Sequence, residues 1–230
     1  MVFAVSAAKE RVLRKLAERD WSPTDLAEEL DRTPETIYNH LHDLEDQGVL
    51  STRQIEAKTR PKTEYSIGNG LIQYVAVLPG HFQQGSIRLD VHKEAVFRIW
   101  MVPQDEFHPY LEQYWWRLRT CEDLAFEDDI VAVAVYGSVA RGEADEDSDV
   151  DLLVVAADEA AGEVVRDRFG SALVKDGTGS KICMTETYTE KEYRDSLAHG
   201  SDFLDTIRDE RHVLYDPDRF LLQSEPVVPR

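Results

Sequence analysis

The chain has 230 residues, which is long enough for two compact domains, each with its own hydrophobic core. Hydrophobic residues make up 42% of it, and no apolar run approaches the roughly 20 residues of a membrane span, so we expect a soluble, cytoplasmic protein with no membrane partner. The formal net charge of −19 should repel nucleic acid at low salt.

The acidic composition has a second interpretation. Lysine is scarce beside arginine, and an acidic, lysine-poor surface is typical of proteins from salt-loving organisms. Near molar salt the Debye length is only a few ångströms, so self-repulsion matters little there. We therefore expect a halophilic, archaeal protein whose acidic charge reflects a high-salt habitat rather than its binding partner. Cys121 and Cys183 lie in different segments and are predicted to be reduced structural thiols.

Three short helices are predicted near the N-terminus. Apolar residues recur at helical spacing over Ser6 to Arg19. Second and third helices begin at Ser22-Pro23 and Thr33-Pro34, where a capping hydroxyl precedes a proline at the first helical position. The third helix ends at Gly48. With a tight turn between its second and third members, this set predicts a helix-turn-helix module.

The apolar period changes to two after Gly48. Val49 to Ile55 and Lys62 to Ile67 are predicted strands joined by a loop, so the hairpin completes a winged helix. Over Ser6 to about Ile67 the sequence resembles winged-helix transcriptional regulators of the ArsR/MarR kind. That resemblance implies a domain over residues 1–67 that binds double-stranded DNA.

Charge supports a DNA-contacting role for this domain. Residues 1–67 carry 10 Lys and Arg against 13 Asp and Glu, whereas the remaining 163 carry 16 against 32. The candidate DNA contacts on the third helix are Thr33, Thr36, Tyr38, Asn39 and His40. Those on and beside the wing are Arg53, Lys58, Arg60 and Lys62, with only Glu56 opposing them. A winged helix that binds only protein is the alternative.

Residues 68–104 are interpreted as a connector after the break at Gly68-Asn69-Gly70. Leu71 to Leu78 is compatible with helix or strand, while Ser86 to Asp90 and Val96 to Met101 are predicted to be extended. A long helix over Asp105 to Ala125 should pack against the sheet that follows. Its two tryptophans, Trp115 and Trp116, are expected to serve the core and a dimer contact rather than base stacking.

The most informative stretch covers Val131 to Val155. A β-branched apolar run stops at Gly137-Ser138, and after an acidic loop a second run carries Asp149 and Asp151. Residues two apart on a strand point to the same face, where paired carboxylates are costly unless a cation neutralises them. Beside a glycine turn, this pair indicates magnesium and a nucleotide. The alternative is an acidic surface hairpin.

These residues resemble the nucleotidyltransferase superfamily that includes DNA polymerase β, and within it the minimal nucleotidyltransferase branch. The resemblance covers roughly Glu122 to Tyr215. It implies that Asp149 and Asp151 hold Mg²⁺ and act in catalysis, and that a nucleoside triphosphate, with ATP the expected one, is bound near the Gly-Ser turn. The nucleotide-binding residues would be Gly137, Ser138, Arg141 and Ser148.

The family has a third carboxylate on a later strand, which helps to activate the attacking hydroxyl. The corresponding strand should be Lys181 to Tyr188, ending where Thr189 can cap a helix. Glu186 is the only acid on it and is the candidate catalytic residue, although it lies closer to the strand's end than the family's residue. The alternative is that Glu186 is an ordinary exposed carboxylate. Nucleotide binding is expected in either case, whereas transfer activity depends on whether Glu186 acts as the base.

The predicted fold class is α+β, with a winged helix followed by a nucleotidyltransferase-type mixed sheet and flanking helices. The predicted domains are residues 1–67, a connector 68–104, a nucleotidyltransferase domain 105–222 and a tail 223–230. The expected function is a homodimeric DNA-binding regulator that binds triphosphate with magnesium and passes a nucleotidyl group to a hydroxyl of a protein or RNA acceptor. The alternatives are a catalytically silent nucleotide sensor and an antitoxin-like protein adenylyltransferase.

Overall fold

The computed structural model describes residues 6–55, 61–67, 71–175, 177 and 179–224. The chain forms two compact units, Met1–Asp90 and Val91–Arg230. The division falls inside the segment interpreted as a connector. Helices and strands occur in both units, which confirms the α+β class.

The first unit begins with three helices at the predicted places. They are α1 (Ala7–Glu18), α2 (Pro23–Glu29) and α3 (Pro34–Asp46). Ser6, Ser22 and Thr33 cap them, each side chain accepting a hydrogen bond from the backbone N–H three residues later. Because these caps satisfy backbone donors that a helix start leaves unpaired, they fix where each helix begins.

The predicted wing is present as an antiparallel hairpin of β1 (Leu50–Ile55) and β2 (Lys62–Ile67). Trp21 and Tyr65 join the hairpin to the helices through reciprocal backbone hydrogen bonds. One apolar core unites the helices and the hairpin. Residues 56–60, including the predicted DNA contacts Lys58 and Arg60, lie outside the described residues.

The predicted connector contains a second hairpin and a helix. The hairpin is β3 (Leu71–Leu78) paired with β4 (His81–Arg88), so Leu71 to Leu78 is a strand. The prediction that Val96 to Met101 is extended was wrong, because α4 covers Val91–Trp100. Ala95 and Ile99 are four apart and buried, so helical spacing prevails over the β-branched, aromatic composition that favoured a strand.

The predicted long helix over Asp105 to Ala125 is shorter than expected. After a single 3₁₀ turn at Asp105–Phe107, α5 covers His108–Arg119. The hydroxyl of Thr120 donates to the carbonyl of Trp116, and the chain turns before α6 (Phe126–Asp129). The backbone N–H of Thr120 donates to the same carbonyl, so the last turn of α5 closes with both groups of Thr120 on Trp116.

The second unit is built on a five-stranded mixed sheet. Its strands are β5 (Ile130–Tyr136), β6 (Val150–Ala156), β7 (Ser171–Lys175), β8 (Ser180–Thr189) and β9 (His212–Tyr215). The strand order is β7-β8-β6-β5-β9, with β6 and β8 parallel and the other pairs antiparallel. Strand β7 was not predicted from the sequence, and it is a five-residue edge strand in which only Ala172 and Val174 are buried.

Five helices complete this unit. They are α7 (Gly137–Arg141), α8 (Glu159–Phe169), α9 (Glu190–Ala198), α10 (Asp202–Glu210) and α11 (Phe220–Gln223). Thr189 caps α9 as predicted, and the structure adds a reciprocal capping box, because the Glu192 side chain bonds the backbone N–H of Thr189. Of the predicted tail 223–230, residues 225–230 lie outside the described part of the chain. None of the helices in the described ranges combines the length and apolar character that a membrane crossing needs.

The two faces of the sheet serve different cores. Val133, Leu152 and Val154 join one cluster with Trp115 of α5, whereas Leu153 and Val155 join another with side chains of α9, α10 and α11. Trp115 is 1% exposed and belongs to the core as predicted, whereas Trp116 beside it is 51% exposed, so the dimer contact predicted for this helix stays a prediction. Alternation along β6 places Asp151 on the face of Leu153.

Candidate functional site

The turn between β5 and α7 is shaped by a glycine that no other residue could replace without strain. Gly137 has φ of +70°, and a Cβ placed on it would lie 2.6 Å from Oδ2 of Asp151. Tyr136 and Asp151 are register partners on β5 and β6. The turn therefore brings the backbone at Gly137 directly against the carboxylate of Asp151.

Asp149 and Asp151 form the centre of this site. Asp149 is exposed just before β6, and Asp151 is partly buried on it. Burial and the neighbouring charge of Asp149 raise the pKa of Asp151 above its ordinary value, although Arg141 opposes the rise. Neither carboxylate makes a hydrogen bond or ion pair with the residues that the structure describes. Two like charges without a partner are the arrangement that a bound cation would stabilise.

Glu186 lies on the same face of the sheet but is displaced along its strand. The parallel register of β6 and β8 places Met184 opposite Asp151 and Glu186 opposite Leu153. At about 3.3 Å of rise per residue, Glu186 stands roughly 7 Å further along β8 than the position facing Asp151. Its charge still contributes to the raised pKa of Asp151.

The geometry limits what metal these acids could hold. Within the described ranges, no three Asp, Glu, His or Cys side chains converge closely enough to form a metal site. Asp149 and Asp151 can supply two ligands to a cation, and the remaining ligands would have to come from phosphate oxygens or water. This division is normal for Mg²⁺, which keeps several waters and binds through one or two carboxylates together with substrate phosphates.

The other predicted nucleotide-binding residues differ in availability. Arg141 ends α7 and pairs with Glu143 at 2.8 Å and with Glu210 of α10. Ser138 is half-buried at the start of α7. The hydroxyl of Ser148 instead donates to the carboxylate of Asp145 at 2.8 Å and accepts from its backbone N–H at 2.9 Å. The turn thus offers Gly137 and Ser138, while Arg141 is held by two carboxylates and the Ser148 hydroxyl is engaged within the acidic loop.

Three residues near this site were missed by the sequence analysis. Tyr136 is half-buried beside Asp151, and burial followed by the charges of Asp151 and Glu186 raises the pKa of its hydroxyl. Phe203 contacts its ring, and Glu210 binds Arg141. Tyr136 could have been noted because it precedes Gly137. The two residues of α10 carry no local signal, since only the topology brings them here.

An apolar surface on β7 and β8 adjoins the carboxylates, on the side of β6 away from β5. Leu173, Ile182 and Met184 have 54%, 41% and 41% of their surface exposed. Leu173 faces Ile182 across β7 and β8, and Met184 faces Asp151. We call these three side chains the apolar shelf. The carboxylates therefore stand between the Gly137 turn and the apolar shelf.

The predicted DNA-contacting residues of α3 have the expected exposure at four of five positions. Thr33, Thr36, Tyr38 and Asn39 are exposed, whereas His40 is half-buried. The hydroxyl of Thr33 bonds that of Thr36 at 2.8 Å, so both serve the helix cap. The helix contains four acidic residues and neither Lys nor Arg. Any cationic contact with phosphates must therefore come from elsewhere in this unit.

The wing carries more opposing charge than expected. Arg53 pairs with Glu64 at 2.9 Å and with Asp20 at 3.3 Å, and Lys62 pairs with Asp25 at 3.6 Å. The prediction that only Glu56 opposes the basic residues was therefore wrong. Cross-strand register places Glu64 directly opposite Arg53, which the count along the sequence did not consider.

A shallow groove lies between the N-terminal ends of α2 and α3 and strand β2 of the wing. It has a volume of about 440 Å³ and is lined by Ser22, Pro23, Thr24, Pro34, Glu35, Tyr38, Lys62 and Thr63. Tyr38 is 51% exposed there. The groove combines an aromatic ring and a lysine on the side of the unit that carries the start of α3.

Comparison with protein families finds a match in each of two parts of the chain. Residues 9–61 match the HTH domain family and residues 119–197 match the Nucleotidyltransferase domain family. The second match contains the Gly137 turn, both aspartates and Glu186. No curated protein matches the chain. The predicted combination of an N-terminal helix-turn-helix domain with a nucleotidyltransferase domain is confirmed.

Proposed function

We propose that this chain, a helix-turn-helix domain followed by a nucleotidyltransferase domain, is a DNA-binding regulator that binds a nucleoside triphosphate with magnesium and transfers its nucleotidyl group to a hydroxyl. The observation that carries the proposal is the carboxylate pair of Asp149 and Asp151 set against the left-handed turn at Gly137. ATP is the nucleotide that we expect.

The chain's own residues divide the work of binding. Asp149 and Asp151 would hold Mg²⁺, which when bound neutralises phosphate charge. The backbone at Gly137-Ser138 and the guanidinium of Arg141 would bind phosphate oxygens. Arg141 is already held by Glu143 and Glu210, so phosphate binding has to compete with these ion pairs.

The transfer reaction that we propose is a single displacement. The acceptor's hydroxyl oxygen forms a bond to the α-phosphorus, the bond to the β-phosphate oxygen breaks, and pyrophosphate leaves. Glu186 is the proposed group that takes the hydroxyl proton. It shares the face of Asp151, and an attacking group arriving over the apolar shelf would pass beside it.

The apolar shelf favours a polypeptide acceptor over RNA. Leu173, Ile182 and Met184 offer no positive charge to a phosphate backbone. Residues 91–230 carry 15 Lys and Arg against 31 Asp and Glu, a charge that repels nucleic acid. A protein that places apolar side chains beside a hydroxyl would fit, as for an antitoxin-like protein adenylyltransferase.

The test of this function uses the purified protein with each of the four α-labelled ribonucleoside triphosphates, magnesium and a cell extract. We expect label from ATP to become bound to a protein, in a product that survives RNase and is removed by protease. Label in an RNase-sensitive product would reject the polypeptide acceptor. Binding of ATP without any labelled product would reject transfer.

A catalytically silent, nucleotide-sensing regulator is the second candidate function. It is favoured by the register of β8, which places Met184 rather than an acid opposite Asp151. Without a third carboxylate at that position, activation of the attacking hydroxyl depends on Glu186 from a displaced position. DNA affinity that changes with ATP, in the absence of turnover, would favour this candidate.

Substitution of Gly137 by Ala should separate backbone strain from site geometry. A left-handed conformation costs an Ala about 1 kcal/mol of stability, and the new methyl would also collide with Asp151. Gly200 is a matched control, because its φ is +74° and nothing lies within 4 Å of its Cβ position. We expect Gly137→Ala to lose at least as much stability in urea unfolding as Gly200→Ala, and ATP–magnesium binding to weaken only in Gly137→Ala. Equal binding by both variants would contradict the proposed turn.

We further propose that the regulator acts as a homodimer, because DNA half-sites are usually read by two-fold dimers. Trp116 and Trp100 are 51% and 59% exposed on α5 and α4, and either could join a dimer contact that buried Trp115 cannot. The acidic surface suits association in concentrated salt, as in a halophilic protein. Light scattering near molar salt should give twice the chain mass, and a monomer at micromolar concentration would exclude the dimer.

A further inference from the structure

Helix α10 runs past the Gly137 turn and touches the chain on both sides of it. Near its start, the ring of Phe203 meets the ring of Tyr136 edge-on, with centroids 5.9 Å apart and planes at 87°. At its end, Glu210 pairs with Arg141. Tyr136 precedes the turn and Arg141 ends α7. The helix is therefore fixed to the proposed nucleotide site at two points.

Phe203 and Glu210 share one face of α10. They are seven residues apart, which is close to two helical turns, so they are separated by roughly 10 Å along that face. Leu204 and Ile207 are buried, whereas Phe203 remains 42% exposed. Phe203 thus presents an aromatic surface beside the site, and its contact with Tyr136 helps to hold the ring in place.

Charge distinguishes the two ends of this face of α10. Arg141, at the Glu210 end, is the cation that can meet phosphates. Acids lie at both ends of α10, with Asp202 and the Arg208-paired Asp205 in the first turn and Asp209 and Glu210 in the last. The two ends differ because Arg141 stands at one and the uncharged ring of Phe203 at the other. A nucleotide with its phosphates at Gly137 and Arg141 would therefore direct its uncharged end toward Phe203.

We propose that Phe203 is the residue on which the nucleobase of the bound triphosphate stacks. Aromatic side chains stack on any base because every base has a π-face, so this contact would add affinity with little choice between bases. The inference rests on the proposed function, because it takes the phosphates to lie at the Gly137 turn.

The test compares Phe203→Ala with the parent protein by calorimetry, using ATP and inorganic tripolyphosphate, each with magnesium. Loss of one stacked base should weaken ATP binding roughly tenfold. Tripolyphosphate has no base, so its affinity should not change. Phe203→Trp, which keeps a stacking surface, should bind ATP at least as well as the parent. Phe82→Ala is the matched control, because Phe82 is 67% exposed in the other compact unit.

Each outcome bears on the proposal. A selective loss for ATP in Phe203→Ala, absent from Phe82→Ala, supports stacking. Unchanged ATP affinity overturns it, as does an equal loss for both ligands, which would show that the ring supports the phosphate turn instead. If the parent binds neither ligand, the proposed function itself fails and the inference falls with it. If the parent binds both, failure of the Phe203 variant to discriminate rejects only the stacking role.

Discussion

Replacing Asp151 with Asn is expected to abolish magnesium-dependent ATP binding while the fold survives. The substitution removes one charge from the carboxylate pair and leaves a side chain of nearly the same shape. Because Asp151 would bind the cation directly, its loss should weaken affinity by more than the roughly 100-fold that removal of an outer-shell partner can cost. Calorimetry with ATP and magnesium measures this directly, and equal affinity in both proteins would show that the metal site is misassigned.

A matched control is available in the loop before β6. Asp147 is exposed, and its backbone N–H donates to the carboxylate of Asp145. Asp147→Asn makes the same change of charge two residues before Asp149. It should leave ATP–magnesium binding within about twofold of the parent, because a screened surface charge contributes little. An equal loss in both variants would mean that general negative charge, rather than the pair, attracts magnesium.

Asp151→Asn should also stabilise the metal-free protein. The pKa of Asp151 is raised in the fold, chiefly by burial and then by Asp149, so the folded state holds its proton more tightly than the unfolded chain. Stability of the parent should therefore fall as the pH rises from the ordinary Asp pKa through the raised one. Asp151→Asn lacks this loss and should melt at a higher temperature near neutral pH. Thermal unfolding with a chelator tests the sign.

Local sequence signals predicted much of this site. The Gly-Ser pair after an apolar run predicted the turn, whereas the spacing of Asp149 and Asp151 predicted a shared strand face and the structure has Asp149 just before β6 and Asp151 on it. The helix starts at Ser22 and Thr33 could also be predicted, because the capping hydroxyl and the proline lie within three residues of the backbone groups that they affect. Each of these features depends only on neighbours in the chain.

Features that depend on distant pairing were not predictable. The parallel crossover sets the register of β8, and only that register distinguishes Met184 from Glu186 as the neighbour of Asp151. Likewise, α10 reaches the Gly137 turn through folding of the whole unit. The ion pair between Arg53 and Glu64 likewise follows from the register of the hairpin of β1 and β2. Sequence spacing carries the period of a strand but not its alignment with another strand.

Neutralising the wing should separate DNA binding from nucleotide binding. Arg53, Lys58, Arg60 and Lys62 are the proposed phosphate contacts, and each contact with duplex DNA releases condensed counterions. Replacing all four with Gln should flatten the dependence of log affinity on log salt by roughly one unit per lost contact. DNA retention should then disappear in a gel shift at moderate salt, while ATP–magnesium binding in the other compact unit remains.

The ion pairs of Arg53 make a second, opposite variant informative. Arg53 is held by Glu64 and Asp20, so a DNA phosphate has to displace a carboxylate before it gains the guanidinium. Glu64→Gln removes the nearer competitor and keeps the side-chain shape. We expect it to bind DNA more tightly than the parent and to steepen the salt dependence, whereas the fourfold variant does the reverse.

Gel shifts across a salt series on these two variants, with Asp151→Asn beside them, decide the role of the winged helix. Asp151→Asn should keep the parent's salt slope, because it lies in the other compact unit. If the fourfold wing variant retains DNA as well as the parent at every salt concentration, the wing does not contact DNA phosphates. The α3 helix alone could not replace it electrostatically, since it carries four acids and no Lys or Arg. That result would therefore favour a protein partner for the winged helix over DNA.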